Sequence, residues 1–202
     1  MGAGDPGAAL ADRAAIVRAV NDWGLWRDTG RWERLRGLYT PGATMHTTWF
    51  AGPASEFVER SIAAAKGGAR AQHFMGAASV ELNGDRAIAE TRMILLVRAR
   101  VAEAAVDVTC FGRFYDRFVR LAGEWRIDRR VPVYEKDRLD PVDWSRPVVL
   151  DAVALAGYAE GYRHLAYVQS LGGATLTPGL PVPGSAEEAL LYAEGAAWLE
   201  GS

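Results

Sequence analysis

Four β-rich runs separated by tight breaks fill the middle of the chain, and they constrain its fold more than any other feature. "RAQHFMGAASVEL" at 70–82 meets "NGD" at Asn83–Gly84–Asp85, a hairpin signal because Asn-Gly tolerates the positive φ that two-residue hairpin loops demand. "RAIAETRMILLVRARV" at 86–101 and "AAVDVTCFGRFYDRFVRL" at 104–121 follow. "AGE" at Ala122–Gly123–Glu124 then turns the chain into "WRIDRRVPVYEKD" at 125–137. Four long strands joined by tight turns form an antiparallel meander, and strands of this length curl. With 50% hydrophobic residues in 202, the chain can bury the core of an ordinary domain.

Helical periodicity flanks the meander. Residues 1–8 are rich in Gly and Ala and read as loose. From Ala9, apolar residues return at helical spacing through Ile16, Val20 and Trp23 until "DTG" at 28–30 breaks the run. Thr29 can cap a second short helix carrying Trp32, Leu35 and Tyr39, closed by Pro41 and Gly42. That duty leaves the Asp28 carboxylate free to point inward. A strand, "ATMHTTWF" at 43–50, and a helix, "SEFVERSIAAAK" at 55–66, lead into the meander. After Asp137 come a Pro- and Asp-rich crossing, a helical stretch over 150–172, a Pro/Gly loop, and a final helix capped at Ser185. Segregated helices and strands mean α+β. Residues 9–137 are expected to pack helices on one face of a bent sheet around a cone-shaped cavity, and 138–202 to form a C-terminal helical extension.

Charge and composition exclude several classes. The formal net charge is −2 and the arginines are interleaved with acids ("RWERLR", "RIDRRV"), so no basic field invites nucleic acid or an anionic membrane. Cys110 is the single cysteine, which rules out an internal disulfide and any multi-cysteine metal site and points to a reducing, cytoplasmic setting. Within "VDVTCFGRF" it reads as a small core residue. No basic-then-apolar leader and no spanning run of about 18 apolar residues occurs. Metal-binding histidine pairs, phosphate loops and a G-x-S-x-G elbow are all missing. Neither a metal nor a cofactor is expected.

Only three histidines exist. His73 opens the first meander strand, where a side chain can project into the wide end of a cone, and Asp28 sits at the turn after the first helix. One reading is a capping aspartate and a satisfied structural histidine. The other is a dyad: the carboxylate fixes the imidazole tautomer and supports the imidazolium, while the second ring nitrogen acts as general base. Spacing alone favours the first. His46, with Thr44 and Thr48 as alternating neighbours, lines a pocket or faces water. His164, on the late helix, reads as a surface or packing residue. A regular strand over 125–137 puts Arg126 and Arg130 on one face and Arg129 on the other. An arginine entering the cavity could hold a departing anion; an Arg–Asp ladder on the outer face is the plainer alternative.

Three segments, "DRAAIVRAVNDWGLWRDTGRWERLRGLYTPGATMH", "RAQHFMG" and "GRFYDRFVRLAGEWRIDRR", resemble the SnoaL-like branch of the nuclear transport factor 2-like superfamily over about residues 10–137. The resemblance implies a cone-shaped α+β barrel with an interior pocket. In its dehydrochlorinase and dehydratase members an aspartate after the first helix pairs with a histidine at the start of a strand, which maps onto Asp28 and His73. A basic residue near the end of the last strand, assisting the leaving group, maps onto Arg130. An aromatic pocket position maps onto Phe114, and a further lining position onto Met45. The expected protein is a cofactor-independent lyase, of dehydratase or dehydrohalogenase type, acting on a small apolar and cyclic molecule. Met45, His46, Trp49, Phe74 and Phe114 would line its pocket. A homo-oligomer, dimer or trimer, is expected, and the 138–202 tail would wrap the pocket mouth or a neighbouring subunit. A non-catalytic binding or dimerisation domain, an isomerase and a polyketide cyclase are the alternatives.

Overall fold

The computed structural model describes residues 6–201. The elements run α1 (Pro6–Asp28), α2 (Trp32–Gly37), β1 (Tyr39–Thr47), β2 (Phe50–Pro53), α3 (Ala54–Lys66), β3 (Ala71–Asn83), β4 (Arg86–Val101), β5 (Ala104–Leu121), β6 (Glu124–Pro141), α4 (Ala152–Ala156), a single 3-10 turn (Glu160–Tyr162), α5 (Arg163–Leu171) and α6 (Ala186–Glu200). One six-stranded sheet, in the order β2-β1-β6-β5-β4-β3, carries the fold. The four long strands form the expected antiparallel meander. Each of its three hairpin loops is two residues long, and Gly84, Ala102, Ala122 and Gly123 supply the positive φ those loops need. β1 joins the other edge, parallel to β6, with a register irregularity between Tyr39 and Thr44 that absorbs Pro41 and Gly42.

Alternation along β5 shows how the two faces of the sheet are used. Val106, Val108, Cys110, Phe114 and Phe118 point into the main core, whereas Tyr115 belongs to a second cluster on the opposite face. The main core is closed from one end by α1 and α3, through Ile16, Val20, Trp23, Phe57 and Val58, and from the other by α5, through Leu165, Tyr167 and Val168. The opposite face is covered by α6, whose Leu191 and Leu199 pack on Ile88, Val131 and Val133. Gly195 lets α6 lie this close, since a Cβ there would stand 1.9 Å from the Tyr115 hydroxyl. Arg113, projecting outward, ties the helix down through Glu90, Glu135, Glu188 and the Tyr192 hydroxyl.

Several local expectations are corrected. The first helix begins at Pro6, where a proline costs no hydrogen bond, so only residues 1–5 of the stretch read as loose lie outside the described residues. Thr29 does not cap the second helix: its hydroxyl donates to the Leu25 carbonyl at 2.6 Å, and α2 starts after Arg31 without a side-chain cap. Tyr39 opens β1 and does not belong to α2. The strand expected over 43–50 folds back on itself, with Thr47 paired to Phe50 in a hairpin. Gly157 and the Glu160–Tyr162 turn divide the 150–172 helix in two. β6 runs through 137–138 to Pro141, and α5 shares the main core while α6 covers the opposite face. Among the described residues no helix is long and apolar enough to cross a membrane.

Candidate active site

Gly24 sets the geometry of the site. It lies one turn before Asp28, and its bare face meets β3: a Cβ there would stand 2.9 Å from Met75 Cγ and 3.7 Å from His73 Cβ. Close approach of α1 to β3 brings Asp28, the last residue of α1, beside the start of β3. Its carboxylate grips one residue twice. Oδ1 lies 2.7 Å from His73 Nδ1, and Oδ2 accepts from the His73 backbone N–H at 2.5 Å. A carboxylate is an acceptor only, so in the neutral imidazole Nδ1 carries the proton and the lone pair lies on Nε2. The pair is shielded, with side-chain exposures of 9% for His73 and 14% for Asp28.

His73 opens onto a cavity of about 370 Å³. Its walls are mainly apolar: Trp23, Met45, Trp49, Phe57, Met93, Leu95 and Phe114, with Thr47, Thr48 and Tyr134 adding polar groups. Gln169, Gly172 and Ala174, from α5 and the turn after it, contribute to the wall. Trp23 meets the imidazole edge-on at 5.1 Å between centroids, and Trp49 stacks on Phe57 at 5.6 Å. Trp23 Nε1 donates to Tyr39 Oη at 2.5 Å, and burial lifts the Tyr39 phenol to about 12, so it stays a neutral anchor for the indole.

Met45, Trp49 and Phe114 line the cavity, together with His73. Phe74 and His46 do not. Phe74 is 66% exposed on the outer face of β3, because its neighbour His73 points inward and adjacent strand residues face opposite ways. The same rule separates His46 from Met45, which is buried. His46 faces the Arg129 side of the sheet, where burial first and the Arg129 charge second hold its imidazole below the usual range. Arg130 is also placed differently from the expectation. It has no exposed surface and does not line the cavity. Its guanidinium lies between Trp23 and Phe114, 4.2 and 4.3 Å from their centroids.

The Arg130 position has two causes. A bulge at Asp128 shifts the register, pairing Arg117 with Arg129 but Phe118 with Ile127, so Arg130 turns inward while Arg126 turns out to Gly37 and Glu124. Asp116, directly opposite on β5, then receives Nε and Nη2 of Arg130 at 2.6 Å each, a bidentate ion pair with no solvent access. Asp116 was not anticipated, although it shares the inward phase of Phe114 and Phe118. Arg27 was also missed as a lining residue. It follows Trp26 at the end of α1, and its guanidinium packs against Trp32 and Phe57 at 5.8 and 5.9 Å. Cys110 is buried in the core, where desolvation pushes its thiol up, away from reactivity. No group of three or more His, Cys, Asp or Glu among the described residues could hold a metal ion.

Comparison with known proteins now decides the family. The SnoaL-like domain matches residues 8–131, from α1 into the first half of β6. The chain belongs to the SnoaL-like family. That family lies in the nuclear transport factor 2-like superfamily, whose members are often cofactor-free isomerases, cyclases or dehydratases. A PEP2-like protein of Fusarium vanettenii is 31% identical over 207 residues, covering 97% of this chain and 89% of that protein. Pea pathogenicity protein 2 of the same fungus is 29% identical, covering 81% of this chain and 72% of its own. Two solved structures share the fold. A scytalone dehydratase candidate from Novosphingobium aromaticivorans has a TM-score of 0.53 at 17% identity, covering 75% of this chain and 97% of that one. A Mycobacterium tuberculosis protein of unknown function has a TM-score of 0.55 at 22% identity, covering 88% and 99%.

Proposed function

We propose that this protein is a cofactor-independent lyase that removes a proton and a leaving group from adjacent carbons of a small, mostly apolar, cyclic molecule. One observation carries the reading: an imidazole hydrogen-bonded through Nδ1 to an otherwise engaged carboxylate, with its other nitrogen on the side of an apolar cavity large enough for a ring system. Nε2 of His73 takes the proton from carbon. The electron pair of that C–H bond forms the new C=C bond, and the pair of the breaking bond leaves with the departing group. If that group is hydroxide, the imidazolium returns its proton and water departs; if it is halide, the proton passes to solvent. Asp28 holds the ring in place and offsets the imidazolium charge as it forms. The cavity walls exclude water and strengthen that pairing.

Arg130 enters this mechanism as a positioning residue. Fixed by Asp116, it seats Trp23 and Phe114, and Trp23 in turn braces the imidazole. The test is a panel of cyclic β-hydroxy ketones and chlorinated rings, read by mass spectrometry for loss of water or hydrogen chloride. Turnover of a panel member that disappears in His73→Ala, with the melting temperature kept, is the expected result. Turnover unchanged in both His73→Ala and Asp28→Asn would sink the dyad.

A further inference from the structure

The cavity walls carry charge of one sign. Arg27 and Arg70 both line the cavity, and among the described residues no aspartate or glutamate does. The two arginines differ in how they are satisfied. Arg70, at the exposed rim, donates Nη1 to the Ala65 and Ala69 carbonyls. The Arg27 guanidinium makes no hydrogen bond and no ion pair among the described residues, its Nε is buried without a partner, and the adjacent Asp28 supplies a compensating charge without direct contact. The Asp28 carboxylate next to it in sequence is already engaged, with both oxygens on His73. The other inward-facing arginine of the site, Arg130, has a dedicated carboxylate in Asp116. Desolvation accordingly weighs on the Arg27 guanidinium and lowers it from its usual range.

A guanidinium stays charged in any protein and presents a planar fork of donors suited to carboxylate and related oxyanions. Leaving a buried guanidinium nitrogen such as Arg27 Nε unpaired is costly. Trp32 and Phe57 lie beside the group, their ring centroids 5.8 and 5.9 Å from its central carbon, and supply no hydrogen-bond acceptor to it. We propose that Arg27 anchors an oxyanion of the ligand, so that this cavity takes an apolar ring bearing a carboxylate or an equivalent anionic oxygen group. The proposal rests on the same cavity as the lyase reading but concerns what binds there. Because Arg27 immediately precedes Asp28 on α1, an anion held by Arg27 fixes the ring relative to the His73 imidazole.

The experiment compares 1-naphthoate with 1-naphthamide, its neutral analogue of nearly equal shape, by quenching of the cavity tryptophans Trp23 and Trp49 and by calorimetry on the full chain. The expected result is naphthoate binding at least about tenfold tighter than naphthamide, a charge-assisted hydrogen bond's worth of discrimination. Arg27→Met should abolish that preference while naphthamide binding stays within about threefold, and Arg27→Lys should keep part of it. His73→Asn should preserve the preference, which separates this proposal from the lyase reading: the preference stands even where no turnover is found. Equal affinities for the two ligands, or no naphthoate binding at millimolar concentration, overturns the proposal. So does a preference that survives Arg27→Met and disappears in Arg70→Met. Where Arg27→Met lacks a cooperative melting transition, the Arg27→Lys comparison decides, and a preference unchanged from the parent in that variant counts against the guanidinium fork.

Discussion

Among the described residues two aspartate–histidine pairs are built on nearly the same plan, and one of them borders the apolar cavity. Asp28 gives one oxygen to His73 Nδ1 at 2.7 Å and the other to a backbone N–H. Asp137 gives one oxygen to His164 Nδ1 at 2.8 Å and the other to the Leu165 backbone N–H at 2.8 Å. The supports are exchanged. In the first pair the acid ends a helix and the histidine opens a strand; in the second the acid is on β6 and the histidine lies in the first turn of α5. Burial is distributed differently as well. His73 and Asp28 are both slightly exposed, whereas Asp137 is sealed at 0% and His164 keeps 21% of its side-chain surface. His73 borders the apolar cavity; His164 does not. In the second pair one carboxylate oxygen serves the N-terminus of α5 by accepting from the Leu165 N–H. An Asp–His hydrogen bond is therefore no signature of catalysis by itself. What lies beside the second ring nitrogen makes the difference.

Exchanging the histidines one at a time is the strongest way to break this comparison. His73→Asn should lower turnover by at least about 10³-fold and Asp28→Asn by about 10²–10⁴-fold, the range general acid–base groups command. His164→Asn should leave kcat within about twofold. Steady-state kinetics on any substrate found in the panel screen checks all three, and a large kcat loss in His164→Asn would erase the distinction drawn between the pairs.

Stability should rank the pairs in the opposite order. Asp137→Ala strands the Leu165 N–H and His164 Nδ1 beside a fully buried site, a loss of about 2–3 kcal/mol in urea unfolding. Asp28→Ala also removes two hydrogen bonds, but partial exposure lets water replace them, so about 1 kcal/mol is expected. Since α5 supplies Gln169 to the cavity wall, Asp137→Ala should also loosen ligand binding while sparing the chemistry, seen as a raised KM with kcat retained. Equal losses of stability in the two variants would show that burial does not separate the pairs.

How much of this was legible in the chain follows from two periodicities. The meander could be read because each strand is long and each break is two residues, so register errors had little room. The dyad could be proposed from element order but not decided, since a distance between residues 45 apart is a tertiary quantity. Phe74 was misplaced for a simpler reason: with His73 facing inward, alternation already required its neighbour to face out, and His46 beside Met45 repeats the case. Conversely, alternation from Phe114 to Phe118 puts Asp116 inward, so the buried partner of Arg130 was available to the same rule. The bulge at Asp128 was not, because nothing in "RIDRRV" marks which residue will lose its partner across the ladder. Arg27 was missed because its meaning lies in an absence, a guanidinium without an acceptor, which only packing reveals.

His46 offers the smallest and most selective test, because it is the histidine with no carboxylate partner among the described residues. Burial, with Arg129 second, lowers its imidazole pKa in the fold. In the unfolded chain the same side chain takes up a proton near its ordinary value of about 6.5. Between the folded and unfolded values the unfolded state binds more protons, so stability falls as the pH drops through about 6.5 toward the folded value, and is fully present above it. His46→Gln removes that site, and the decline in melting temperature below about pH 6.5 should become shallower than in the parent, with turnover unaffected. A His46→Gln variant with the parent's acid profile would mean that the Arg129 side of the sheet is wetter than its burial implies, and that this histidine titrates as it would in water.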